Sequence, residues 1–90
     1  MEYCYITVHK NSFEIESTYN KAFVGKIKTV PAYKRSYDPD TKVWTINDKV
    51  FLSGIKNAAA ELFPRAWVIE GAITTNLITG ETVEQMALFQ

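Results

Sequence analysis

The sequence predicts an α+β domain: a small β-β-α-β-β-α-β chain, with one antiparallel or mixed sheet and two helices on one face. Three observations predict it. Ninety residues suffice for one modest core between two layers. Five short segments are rich in β-branched and aromatic residues and end at turn formers. Two further segments space their apolar residues at the helical period instead.

The first strand is read in YCYITV (Tyr3–Val8), broken by His9-Lys10-Asn11-Ser12. FEIES (Phe13–Ser17) alternates apolar and polar, so a second strand turns Phe13 and Ile15 inward and forms a hairpin with the first. Ser17 or Thr18 caps a helix over Tyr19–Val30, where Phe23, Ile27 and Val30 make the apolar face and Lys21, Gly25 and Lys28 the opposite one. Pro31 stops it. Tyr33–Tyr37 and Lys42–Ile46 read as strands joined by the turn formers Asp38-Pro39-Asp40-Thr41. Trp44, in register with Ile46, is expected in the core. Asn47 or Asp48 caps the second helix, with Phe51, Leu52, Ile55, Ala59 and Leu62 inward and an end near Pro64. AWVIEGA (Ala66–Ala72) is the fifth strand. Residues 1–80 are thus expected to form the domain. The stretch ITTNLITGETVEQMALFQ is open between a short added strand, a short last helix, for which Thr82 and Gln85 have capping-box spacing, and a loose end; residues 81–90 are taken as tail or short helix.

Composition narrows the chemistry. Ten cations balance ten acids, so bulk charge announces no nucleic-acid or membrane partner. The lone cysteine, Cys4, allows no internal disulfide and reads as a small core residue. No signal peptide and no run near membrane-spanning length is visible, so a cytoplasmic setting and no membrane partner are expected. One histidine, His9, supports neither a zinc site nor a Ser-His-Asp arrangement. Glu14 and Glu16 read as a solvated strand face. Asp38 and Asp40 fall short of a calcium loop's ligand count, and GKIKT (Gly25–Thr29) lacks the earlier glycine of a phosphate loop. No catalytic constellation, metal site or cofactor is expected.

The segment YKRSYDPDTKVW (Tyr33–Trp44) closes a stretch of uneven charge. Lys21, Lys26, Lys28, Lys34 and Arg35 occur between Lys21 and Tyr37 without one acid. Of these, Lys21, Lys28, Lys34 and Arg35 are expected to form, with Lys42, one basic patch interleaved with Tyr33 and Tyr37. Cations hold phosphates and exposed aromatics stack on unpaired bases, the combination that single-stranded or distorted nucleic acid requires. The alternative is a solvated helix face beside a core hairpin.

FEIES, IKTVP and YKRSYDPDTKVWTI, spanning Phe13–Ile46, resemble the HARP domain of annealing helicases. They are also similar to small modules at the front of bacterial and phage DNA helicases. The resemblance implies an accessory module that grips branched or single-to-double-strand DNA beside an ATP-driven motor. By position it implies DNA contact for Lys34, Arg35 and Lys42, stacking or packing for Tyr37, and a core anchor in Trp44. This chain carries no nucleotide-binding motif, and Val43 stands where the family has a second cation before the tryptophan.

The last residues, QMALFQ, contain Gln85-Met86-Ala87-Leu88-Phe89, which resembles the peptide by which bacterial proteins dock on the DNA sliding clamp. Gln85, Met86, Leu88 and Phe89 would be its contacts: two adjacent apolar anchors, an adaptable thioether and an amide. Alternatively, Met86 and Phe89 form the inner face of a short last helix. The expected function is therefore a non-enzymatic, DNA-associated accessory protein of replication or repair. It would bind single-stranded or branched DNA and be recruited to the clamp or another replication protein. The competing expectation is a small interaction or inhibitor module, of the kind phages encode, that binds a replication protein and not DNA. Oligomeric state is left open.

Overall fold

The computed structural model describes residues 1–84. β1 (Cys4–Val8) and β2 (Phe13–Ser17) form an antiparallel hairpin that sets Ile6 opposite Ile15 and Val8 opposite Phe13. All four side chains enter the core. Alternation alone dictates this, because residues two apart share a sheet face. At the far end of the hairpin the Tyr3 and Thr18 backbones are joined, with the Tyr3 N–H also donating to Thr18 Oγ1 at 3.1 Å.

That bond occupies Thr18, and the cap of α1 (Lys21–Ile27) is Asn20, whose side chain accepts from the Phe23 N–H at 3.0 Å. The helix is shorter than its apolar spacing suggests. Tyr19 stays outside it in the chain ahead of the cap. Phe23 and Ile27 are fully buried, and Val30, just past the helix, follows them into the core ahead of Pro31. Asn20 Nδ2 also donates to the Leu62 carbonyl at 3.4 Å, tying the start of α1 to the end of α2.

Ala32–Lys34 make one 3-10 turn, closed by the Lys34 N–H on the Pro31 carbonyl, so β3 begins only at Arg35 and runs to Asp38. Asp38 then organises the tight turn: its Oδ1 accepts from the Asp40 N–H at 2.9 Å. Lys42 completes the reversal in the left-handed region, φ 60°. β4 (Val43–Ile46) pairs antiparallel with both β3 and β2. Asp48 caps a 3-10 turn (Lys49–Phe51) that runs into α2 (Leu52–Leu62). α2 buries Ile55 and Ala59, and Phe63 beyond it meets Phe23 edge-on, ring centroids 5.0 Å apart.

β5 (Ala66–Glu70) lies parallel to β1, Cys4 beside Ala66. Gly71, at φ 60°, turns the chain back into β6 (Ile73–Asn76). Asn76 builds the next turn by accepting from the Ile78 N–H at 2.8 Å, and β7 (Thr82–Glu84) closes the sheet. Thr82, read above as the cap of a last helix, is thus in a strand, where its β-branched side chain and that of Val83 favour extended backbone. Residues 85–90, with Gln85, Met86, Leu88 and Phe89, lie outside the described residues.

The result is a mixed seven-stranded sheet in the order β3-β4-β2-β1-β5-β6-β7 with two helices, an α+β architecture. Both helices contribute to one core with Cys4, Ile6, Ile15, Ile46, Ala66 and Val68, so they share one sheet face. Burial pushes the Cys4 thiol up to about 12, which leaves it an inert core group. No helix among the described residues is long and apolar enough to cross a membrane.

Candidate nucleic-acid interface

The β3–β4 register sets Tyr37 opposite Trp44 and Arg35 opposite Ile46, so Arg35 and Tyr37 lie on the helix side of the edge strand. Tyr37 and Trp44 meet with ring centroids 4.7 Å apart, tilted by 46°. Trp44 is half-buried and packs against the core, as its alternation with Ile46 predicts. Between this pair and α1 lies a groove of about 320 Å³ lined by Tyr19, Val24, Tyr37, Lys42 and Trp44, with Tyr3, Ser17 and Thr18 at its end. Two of the lining tyrosines present ring surface to solvent: Tyr19 is 78% exposed and Tyr37 46%.

Helical spacing puts Lys21 and Lys28 on the stripe of α1 that carries Val24, three residues after the one and four before the other. Both lysines are exposed. Arg35 Nε donates to the Val30 carbonyl at 2.9 Å, latching β3 to the segment after α1. One of its five N–H donors is thereby committed. Of the residues predicted to touch DNA, Tyr37 and Lys42 line the groove itself, Lys21 and Lys28 flank its Val24 along α1, and Arg35 stands on the helix side of β3, bonded to Val30.

Tyr33 and Lys34 are placed elsewhere. Lys34 Nζ is paired with Asp48 Oδ2, and it also lies 5.8 Å from the centroid of Tyr33 and 5.9 Å from that of Phe51. The hydrogen bond from Lys34, followed by that from the Val50 N–H, holds the Asp48 carboxyl below its ordinary range. The same bond to Asp48 raises Lys34. Lys34 therefore clamps the 3-10 turn after α1 to the one before α2, and Tyr33, 82% exposed, stands beside that clamp.

Sequence reasoning missed Tyr19 and Val24 as groove residues. Tyr19 falls inside the expected helix only because the cap is read at Ser17 or Thr18; the signal that excludes it is Asn20, a better cap than Thr18 once Thr18 is bonded to Tyr3. Among the described residues no group of three His, Cys, Asp or Glu side chains could hold a metal ion. No family model matches the chain, and no curated protein or solved structure matches it.

Proposed function

We propose that this chain is a non-enzymatic, DNA-associated accessory protein that binds single-stranded or branched DNA along the strip between α1 and the β3–β4 hairpin. The observation that carries this reading is the groove itself, where exposed Tyr19 and Tyr37 converge with Trp44 and Lys42. A space of about 320 Å³ has the size of a small-ligand site and suits an unpaired base better than a duplex. Bases stack on the tyrosine rings, while Lys21, Lys28, Arg35 and Lys42 meet the phosphates on either side. The C-terminal Gln85, Met86, Leu88 and Phe89 recruit the protein to the sliding clamp or another replication protein.

A gel-shift assay with forked DNA at low salt tests the groove. The wild type binds, and Lys21→Glu, Lys28→Glu and Lys42→Glu together abolish binding; these side chains are exposed, so the fold survives. Four phosphate contacts on single-stranded DNA give a slope of log affinity against log salt of about −3. A wild type that does not shift the fork defeats the reading. For the tail, removing Gln85–Gln90 abolishes binding to a bacterial clamp and leaves DNA binding intact. The sheet face turned away from the helices, where Glu16, Tyr5 and Trp67 are neighbours across the strands, favours a second reading, an interaction module that binds a replication protein and not DNA; in that case the lysine variants change nothing.

A further inference from the structure

The sheet face turned away from the helices carries its own ordered chemistry. Strand register aligns one row of side chains across it: Asp38, Val43, Glu16, Tyr5, Trp67 and Asn76. The adjacent row brings Glu14 beside Thr7 and Ile69. Tyr5 stacks on Trp67, ring centroids 5.0 Å apart and planes 24° from parallel, and Tyr3 lies 5.0 Å from Tyr5. Glu14, Glu16 and Asp38 are exposed, and Tyr5 is 37% exposed. Strand positions on this face hold those three acids and no lysine or arginine; Arg65 stands just outside the start of β5.

Three of the chain's ten acids thus stand beside aromatics on the open face, while Lys21, Lys26 and Lys28 lie along α1 and Arg35 on the helix side of the hairpin. Neighbouring carboxylate and aromatic groups are what a guanidinium uses. Its weakly hydrated plane stacks on tyrosine or tryptophan, and its fork of donors pairs with a carboxylate. Lysine offers the charge without the plane or the fork. Glu16 is the cross-strand partner of Tyr5, which is in turn the cross-strand partner of Trp67, so all three elements are adjacent.

We infer that this open face docks a basic, arginine-bearing segment of a partner protein, one guanidinium stacking on Tyr5 and Trp67 and pairing with Glu16. Further cations of the segment meet Glu14, whose carboxylate lies 3.6 Å from His9 Nε2, and the oxygen of Asp38 not engaged in its turn. The site lies on the opposite side of the sheet from the α1 groove, with Tyr3 at the end where the two adjoin, and stands whether or not that groove binds DNA.

The test titrates a synthetic peptide of alternating arginine and threonine into the whole chain by calorimetry, beside its lysine counterpart. The arginine peptide binds saturably and the lysine peptide several-fold more weakly. Glu14→Gln with Glu16→Gln weakens arginine-peptide binding by roughly tenfold or more. Glu61→Gln, whose carboxylate lines the cleft between α1 and α2 on the helix side, leaves it unchanged. In nitrogen-15 spectra the indole signal of Trp67 moves with added peptide and that of Trp44 does not. Equal affinity in the double variant and Glu61→Gln, or movement of Trp44 instead of Trp67, overturns the inference. A dimer in sedimentation that the double variant dissolves also overturns it, since a second copy then occupies the face.

Discussion

Lys34 and Asp48 show how a residue read for binding can be occupied in folding. Their side chains are only 32% and 29% exposed, and their pairing joins two turns that flank the core. The pairing has a pH signature. Asp48 is held below 3.8, so its stabilisation is full above that pH and is lost as pH falls through the lowered value. Lys34 is raised above 10.5, so its stabilisation is full below that pH and is lost as pH climbs past the raised value. Asp48→Asn keeps a good capping side chain and removes the charge. The variant melts below the wild type at neutral pH, and the gap between the two melting temperatures closes as pH drops below 3.8. A gap that stays constant through that range would show that the pair contributes nothing. Neither partnership was legible beforehand: Asp48 lies fourteen positions from Lys34 and was already assigned to capping, a role it also keeps through the Val50 N–H. Sequence pattern records which residues alternate, and it does not record which cation a distant acid will claim.

At the scale of elements, the β3–β4 hairpin couples stability to the groove through Lys42. A non-glycine residue in the left-handed region is disfavoured by about 1–2 kcal/mol. Lys42→Gly relieves that strain while removing the groove's own cation. The variant gains up to about 1 kcal/mol in urea unfolding, set against the added freedom of its unfolded chain, and loses affinity for single-stranded DNA. Concurrent loss of stability would mean that the lysine stem packs on Tyr37 and Trp44 and supports the turn. The elements differ in how visible they were. FEIES was read to its observed limits, since its alternation is complete and both its neighbours bury one face. YKRSY was read as strand from Tyr33, but the bond from the Lys34 N–H to Pro31 winds its first residues into a turn. β6 and β7 are left open by the sequence reading because ITTN and TVE show no sustained apolar-polar alternation, and none of their residues enters the core. They are strands chiefly because β5 offers an edge to pair with. The α1 strip was half visible: charge and aromatics pointed to Lys21, Lys28, Tyr37 and Lys42, while Tyr19 required knowing where the helix begins.

For the whole molecule, the fold class followed from periodicity, but the order of strands did not, because it is set by long-range pairing. β1 sits at the centre of the sheet only because β5 joins it in parallel. Ala66 and Val68 of β5 are core residues, and without them Cys4 and Ile6 face an open edge. A chain ending at Arg65 is expected to show no cooperative thermal transition by circular dichroism, whereas the full chain shows one. A sharp transition in the shortened chain would place the folding unit within the first two hairpins and their helices. The clustering of Glu14, Glu16 and Asp38 on one face is likewise a property of the whole, invisible in a net charge of zero and apparent once register assigns each strand acid to a face.

The parallel seam between β1 and β5 also sets a timetable for synthesis. Cys4 is translated 62 residues before Ala66, its partner. At about 5–20 residues per second, the ribosome needs roughly 3–12 s to make that interval. Throughout it the first hairpin carries an unpaired edge with β-branched and aromatic side chains, the kind of surface that recruits other strands. The nascent chain is therefore most exposed to misassociation before its fifth strand emerges, and slowing translation between the two strands should lower soluble yield.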